Sequence, residues 1–124
     1  MRLLLDTHVL YWWLTGDARI KDRPRKFIED AEFVFVSAAS VWEMAIKAAA
    51  GKLRIPGDLD KQLKRHRFTE LQVSIVHAWL APTLPPHHKD PFDRMLVAQA
   101  ISESLTLVTA DPALAPYGCP LMRV

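Results

Sequence analysis

The stretch that most limits the possible folds is RLLLD (2–6). Three leucines in a row leave no wet face, so the strand they form is buried on both sides, as in a parallel sheet covered by helices. EFVFVS (32–37) reads as a second strand, LTLVT (105–109) as another buried one, ELQVS (70–74) as a short one and CPLMRV as a final one. Helical patterns separate them. THVLYWWLTG (7–16) is closed by Gly16, and the alanine-rich AASVWEMAIKAAAGK (38–52) is stopped by Gly51. A basic helix follows IPGD over about Leu59–His66, PTLPPHHK (82–89) is a proline-rich loop, and a further helix spans about 91–104. Alternating strands and helices predict an α/β fold with a mainly parallel sheet, whose ligand site lies beyond the carboxyl ends of the strands.

The 124 residues, half of them hydrophobic, are expected to form one domain over 1–124 with a core that needs no staples. Cys119 is the only cysteine, which excludes an internal disulfide framework and a cysteine-based zinc site. No apolar run is long enough to span a membrane, and Asp6 and His8 interrupt the N-terminal one, so a cytoplasmic protein is expected. Nine of the 16 basic residues fall in two clusters, Arg19–Lys26 and Lys61–Arg67. Such runs are ordinarily solvated faces; a phosphate-contacting surface is the alternative.

The acids carry the chemistry. Asp6 ends the first strand, Glu43 lies in the helix after FVFVS, and Asp111 follows LTLVT in TADPAL. HKDPFDRMLVAQA (88–100) adds Asp90 and Asp93 at the mouth of a helix. Each has an ordinary structural role open to it. Asp6, Asp90 and Asp111 suit helix N-caps, Ser40 and Glu43 match a capping box, and Asp93 favours a helix dipole. A parallel sheet puts Asp6 and Asp111 at one edge, with the helix of Glu43 starting there. Asp93 is expected at the opposite edge, because its helix runs into a strand, unless the helix crosses over with its first turn tilted in.

If the four converge, two carboxylates about 4 Å apart repel by roughly 4 kcal/mol at an effective dielectric near 20, so cations are required. Hard oxygen ligands favour Mg²⁺ or Mn²⁺ over zinc. Such ions bind phosphate oxygens and lower the pKa of a bound water. Outside the four acids, 16 basic residues face 10 acidic ones, a balance that suits a phosphodiester substrate held by its backbone.

LLLDTHVLYWWL, SAASVWEMAIKAAAGKL, PPHHKDPFDRMLVAQA and LTLVTAD together resemble the PIN-domain nucleases, specifically the toxins of VapBC-type bacterial toxin–antitoxin modules. The resemblance covers nearly the whole chain in order; 54–82 matches only in general character. It implies a five-stranded parallel sheet flanked by helices, with the first turn of the Asp93 helix at the pocket. It implies Asp6, Glu43 and Asp93 as core acids, Asp111 as a more variable fourth, and Thr7 and Thr109 as supports. Asp90 then caps and fixes the helix, pairing with a neighbour such as Arg94, while Asp93 points to the metal. The implied activity is Mg²⁺- or Mn²⁺-dependent endonucleolytic hydrolysis of RNA, by a homodimer silenced by a cognate VapB-type antitoxin.

Other readings are weaker or excluded. A metal-free ribonuclease would use His8, His87 or His88. A haloacid-dehalogenase-like phosphatase wants a second Asp where His8 stands, a receiver domain wants a lysine that TADPALAPYGCP lacks, and AAAGKL has Leu53 where a phosphate loop needs Ser or Thr. A degenerate, non-cutting binding module is the non-enzyme alternative. YWWL places rings on many faces, so one of them is expected to meet another chain; Trp42 and Trp79 are expected in the core or between helices.

Overall fold

The computed structural model describes residues 1–124. Five strands, β1 (Arg2–Leu5), β2 (Phe33–Ser37), β3 (Thr69–Leu71), β4 (Thr106–Thr109) and β5 (Leu121–Arg123), form one sheet in the order β3-β2-β1-β4-β5. Every pairing is parallel; Leu5 stands opposite Val36 on one side and Val108 on the other. The helices are α1 (Thr7–Thr15), α2 (Asp22–Asp30), α3 (Ala38–Ala49), α4 (Leu59–Arg65), α5 (Ile75–Leu80) and α6 (Pro91–Glu103).

β1 is central, and its three leucines are fully buried. Leu3 and Leu5 join a core with Val9, Leu10, Ile28, Val34, Val36 and Met44 on one face. Leu4 points the other way, into Leu96, Val97, Ala100, Leu107 and Leu114. Period-two side chains on a strand covered on both faces account for the unbroken run.

Three details depart from expectation, and the YWWL rings have contacts of their own. α2 replaces what reads in sequence as a solvated basic segment. Only Ile28 of it is buried, so the helix shows one apolar contact to the core and a wet remainder. α6 needs no crossing: a helix feeding a parallel strand runs back along the sheet, so its first turn lies at the carboxyl edge with Asp6 and Asp111. The expectation of the opposite edge was an error of direction. Trp79 is 81% exposed and outside the core; Trp42 is 64% exposed, yet its ring packs edge-on against Phe92 of α6 at 5.3 Å, between helices as expected. The rings of YWWL are all half-buried. Tyr11 donates to the Arg54 carbonyl at 3.2 Å and Trp13 packs on Phe68 and His66.

An acid pocket at the carboxyl edge of the sheet

Asp6 follows β1 directly and is almost wholly buried. It does cap α1, its Oδ1 accepting from the Val9 amide at 2.8 Å. Burial nevertheless pushes its carboxyl above the ordinary value; the Thr109 hydroxyl and the Val9 amide oppose that, and Asp111 adds to it. Cap and pocket wall are therefore one residue. Thr7 donates its hydroxyl to Ser40 Oγ at 3.1 Å, fixing α1 to α3 beside the acids. Thr109 Oγ1 accepts the Asp111 amide at 3.0 Å.

Glu43 is not part of a capping box. α3 begins three residues earlier than that box requires, with Ser37 as N-cap accepting the Ala39 amide. Glu43 is buried; its Oε2 takes Lys47 Nζ at 2.8 Å, while Oε1 is buried with no partner at all. A buried carboxylate oxygen without a donor is costly, and such an atom marks a place where something else completes the site.

Asp90 caps α6, accepting the amides of Phe92 at 2.8 Å and Asp93 at 3.4 Å, and Pro91 occupies the first helical position. The expected Asp90–Arg94 pair is absent. Arg94 instead donates to the carbonyls of Ala81, Pro82, Leu84, Pro85 and His88 and to the Tyr117 hydroxyl, at 2.7–3.4 Å. A proline-rich loop with few amides to give leaves most of its carbonyls short of donors, and one planar guanidinium collects them.

That loop delivers His88, a candidate base in the metal-free reading, whose ordinary role at such a place is a structural hydrogen-bonding one, and that is the role it takes. Its Nδ1 accepts the Asp90 amide at 3.0 Å, which sets the tautomer with hydrogen on Nε2. Nε2 then bridges Asp111 Oδ2 at 3.0 Å and Asp93 Oδ2 at 3.3 Å. The signal was present, since an HxD spacing ahead of a capped helix is the geometry for a back-bond from residue 90 to residue 88. Asp111 caps the following 3₁₀ turn through Ala113, a bond that with the His88 contact holds its carboxyl below the ordinary value.

Asp93 carries the pocket's tension. Burial first, then Asp90, Asp6 and Glu43, push its carboxyl up to about 7, with His88 opposing. Asp6, Asp93 and Asp111 line one cavity of about 270 Å³ together with His8, Trp12 and Ala110. Four acids from four separate stretches thus meet at one edge. A hard cation fits this set: all donors are carboxylate oxygens, one is buried and unpartnered, and burial together with the neighbouring acids makes the charge on Asp93 costly without a cation. His88 Nε2, Asp93 and Asp111 also lie within 4.8 Å of one another, but with hydrogen on Nε2 the imidazole acts here as a donor.

A family description of the PIN domain matches residues 3–118. The chain is 32% identical over 122 residues to Ribonuclease VapC22 of Mycobacterium tuberculosis, covering 95% of this chain and 93% of that protein. VapBC2 from Rickettsia felis, solved bound to a DNA fragment from its promoter, superposes with a TM-score of 0.71 at 13% identity, over 99% of this chain and 98% of that one. DNA-bound VapBC from Salmonella typhimurium gives 0.70 at 15% identity, with coverages of 99% and 98%. At these identities the structural likeness is one of fold.

Proposed function

The chain belongs to the PIN-domain family, and from that premise we propose that it is a Mg²⁺- or Mn²⁺-dependent endoribonuclease, the toxin of a type II toxin–antitoxin module. The observation that carries the reading is the buried, unpartnered Oε1 of Glu43 in the neighbourhood of Asp93, whose carboxyl burial first and then Asp90, Asp6 and Glu43 push up to about 7. Asp6 and Asp93 would hold the principal ion, and Asp111 would complete a second, weaker position. When bound, the ion supplies charge neutralisation at the phosphate and a water of lowered pKa.

The chain's own residues do the rest. Val9 N–H pins one oxygen of Asp6, so that carboxylate is presented without rotational freedom. Lys47 holds Oε2 of Glu43, which leaves Oε1 to orient the attacking water and take its proton. Attack by water on phosphorus, with the 3′-oxygen leaving, gives 5′-phosphate and 3′-hydroxyl ends. A histidine ribonuclease using the 2′-hydroxyl would give a cyclic phosphate. The Nδ1 of His88 is already occupied and its Nε2 bridges two acids, which argues against it as a free base.

Two protein partners accompany the reading, a cognate VapB-type antitoxin and a second copy of the chain. The relative's name and the VapBC complexes among similar structures support the first. For the second, α5 presents Ile75, Val76 and Trp79 at 88%, 63% and 81% exposure, an apolar surface unusual for a lone small protein. No helix is long and apolar enough to cross a membrane.

The test is cleavage of total cellular RNA by the purified, antitoxin-free chain with Mg²⁺, Mn²⁺ or excess EDTA, beside Asp6→Asn. Metal-requiring cleavage that vanishes in the variant and leaves 5′-phosphate ends is expected. Cleavage that survives EDTA or leaves cyclic phosphates would overturn the mechanism.

A further inference from the structure

α1 presents more to the pocket than a cap. His8 and Trp12 are four residues apart, so they share one helix face, with ring centroids 6.1 Å apart. Both line the cavity that Asp6, Asp93 and Asp111 form on its other side. Beyond them the Arg19 guanidinium lies over the Trp12 ring, 5.1 Å from its centroid. Arg19 is 67% exposed, and its one acidic neighbour, Asp17, is at 3.7 Å, too long for a strong pair. The neighbouring rings of the helix have evident structural contacts: Tyr11 reaches Arg54, and Trp13 is wedged among Phe68, His66 and Arg25. Trp12 packs one side against the core and turns the rest to the acids.

We infer that His8, Trp12 and Arg19 form a nucleotide-seating track beside the acid pocket: an unpaired RNA base stacks on Trp12 and its phosphate meets Arg19. A base within a duplex is already stacked and offers no free face, so the track selects unpaired RNA. His8 adds a second ring where the track enters the pocket, and the phosphate next along the strand falls toward the carboxylates. In the free protein the Arg19 guanidinium covers the outer face of Trp12 by its cation–π contact; an arriving base takes that face, and the exposed guanidinium turns from the ring to the phosphate. The inference rests on the nuclease reading for its substrate, but its test needs no turnover.

Binding is measured by fluorescence anisotropy of a labelled, unstructured oligoribonucleotide in Mg²⁺, on an Asp6→Asn background. Trp12→Ala is expected to bind about tenfold more weakly, the scale of one lost base–aromatic stack. Trp12→Leu, which keeps apolar bulk against the core, falls equally far, whereas Trp12→Phe retains most of the affinity. Arg19→Gln lowers the dependence of log affinity on log salt by about 0.7, one phosphate contact on a single strand. The same sequence as a duplex binds Trp12 and Trp12→Ala proteins alike. Unchanged single-strand affinity in Trp12→Leu, or a duplex that loses as much as the single strand, overturns the track. Failure of the wild-type chain to cleave overturns the nuclease reading instead, and leaves the binding comparison to decide the track by itself.

Discussion

Asp93→Asn should stabilise the metal-free protein while abolishing its cleavage of RNA. In the folded chain the Asp93 carboxyl is pushed up to about 7 from an ordinary 3.8. Between those values the folded state binds a proton that the unfolded state has released, so stability falls as pH rises through this window. At 1.36 kcal/mol per unit the full cost at pH 8 is on the order of 4 kcal/mol. The side chain keeps 15% exposure, and solvent screening brings the expected gain from asparagine to about 2 kcal/mol. An asparagine oxygen can still accept from His88 Nε2, so little is lost in exchange. Thermal unfolding in EDTA should show the variant melting higher by roughly 5–10 °C at pH 8. At pH 3, where the wild-type carboxyl is protonated in the fold and largely so without it, the gap should nearly close. Excess Mg²⁺ should raise the wild type more than the variant, because only the wild type offers the full carboxylate set. A gap that is the same at both pH values, or a variant that melts lower at pH 8, would refute the claim that the acids press on one another.

Three further outcomes follow from named contacts. Lys47→Met removes the cation from buried Glu43 and should cost roughly 1–3 kcal/mol of stability at neutral pH, read by denaturant unfolding. Arg94→Lys cannot span six acceptors; it should lose about 2 kcal/mol, with hydrogen exchange rising over residues 82–89 before the rest of the chain. Trp79→Asp should shift the chain toward monomer in analytical ultracentrifugation without changing its melting temperature by more than about 2 °C, since that ring is already in solvent.

The centre of the sheet was legible because β1 and β4 are short, buried on both faces and free of alternation; RLLLD and LTLVT admit little else. Helix ends were legible where a residue type is forced, as at Gly16, whose φ of 67° few other residues adopt, and at Asp90–Pro91. α2 was hidden by its charge, with a single buried residue in nine giving no period to read. Trp79 was misplaced because large rings are usually buried, and nothing in its local sequence marks it as exposed. Of the site, the residue types and their spacing pointed to the acids, but cap and ligand roles look identical in sequence. Asp6 serves as cap and pocket wall together, and Asp111 caps a turn while meeting His88. What sequence could not supply was Arg94's set of loop carbonyls, since nothing in a proline-rich stretch says which way its oxygens turn.

The order of strands across the sheet has a consequence for how such a protein is made. β1, the first strand in the sequence, sits between β2 and β4, and β4 is made fourth of the five strands. The pocket draws on residues 6, 43, 93 and 111, so it closes at the same moment as the centre of the sheet. A chain halted before β4 has one side of its central strand unpaired and no fourth acid. An interrupted translation product therefore has no cutting edge, and a cell making this protein meets its activity only in the finished molecule.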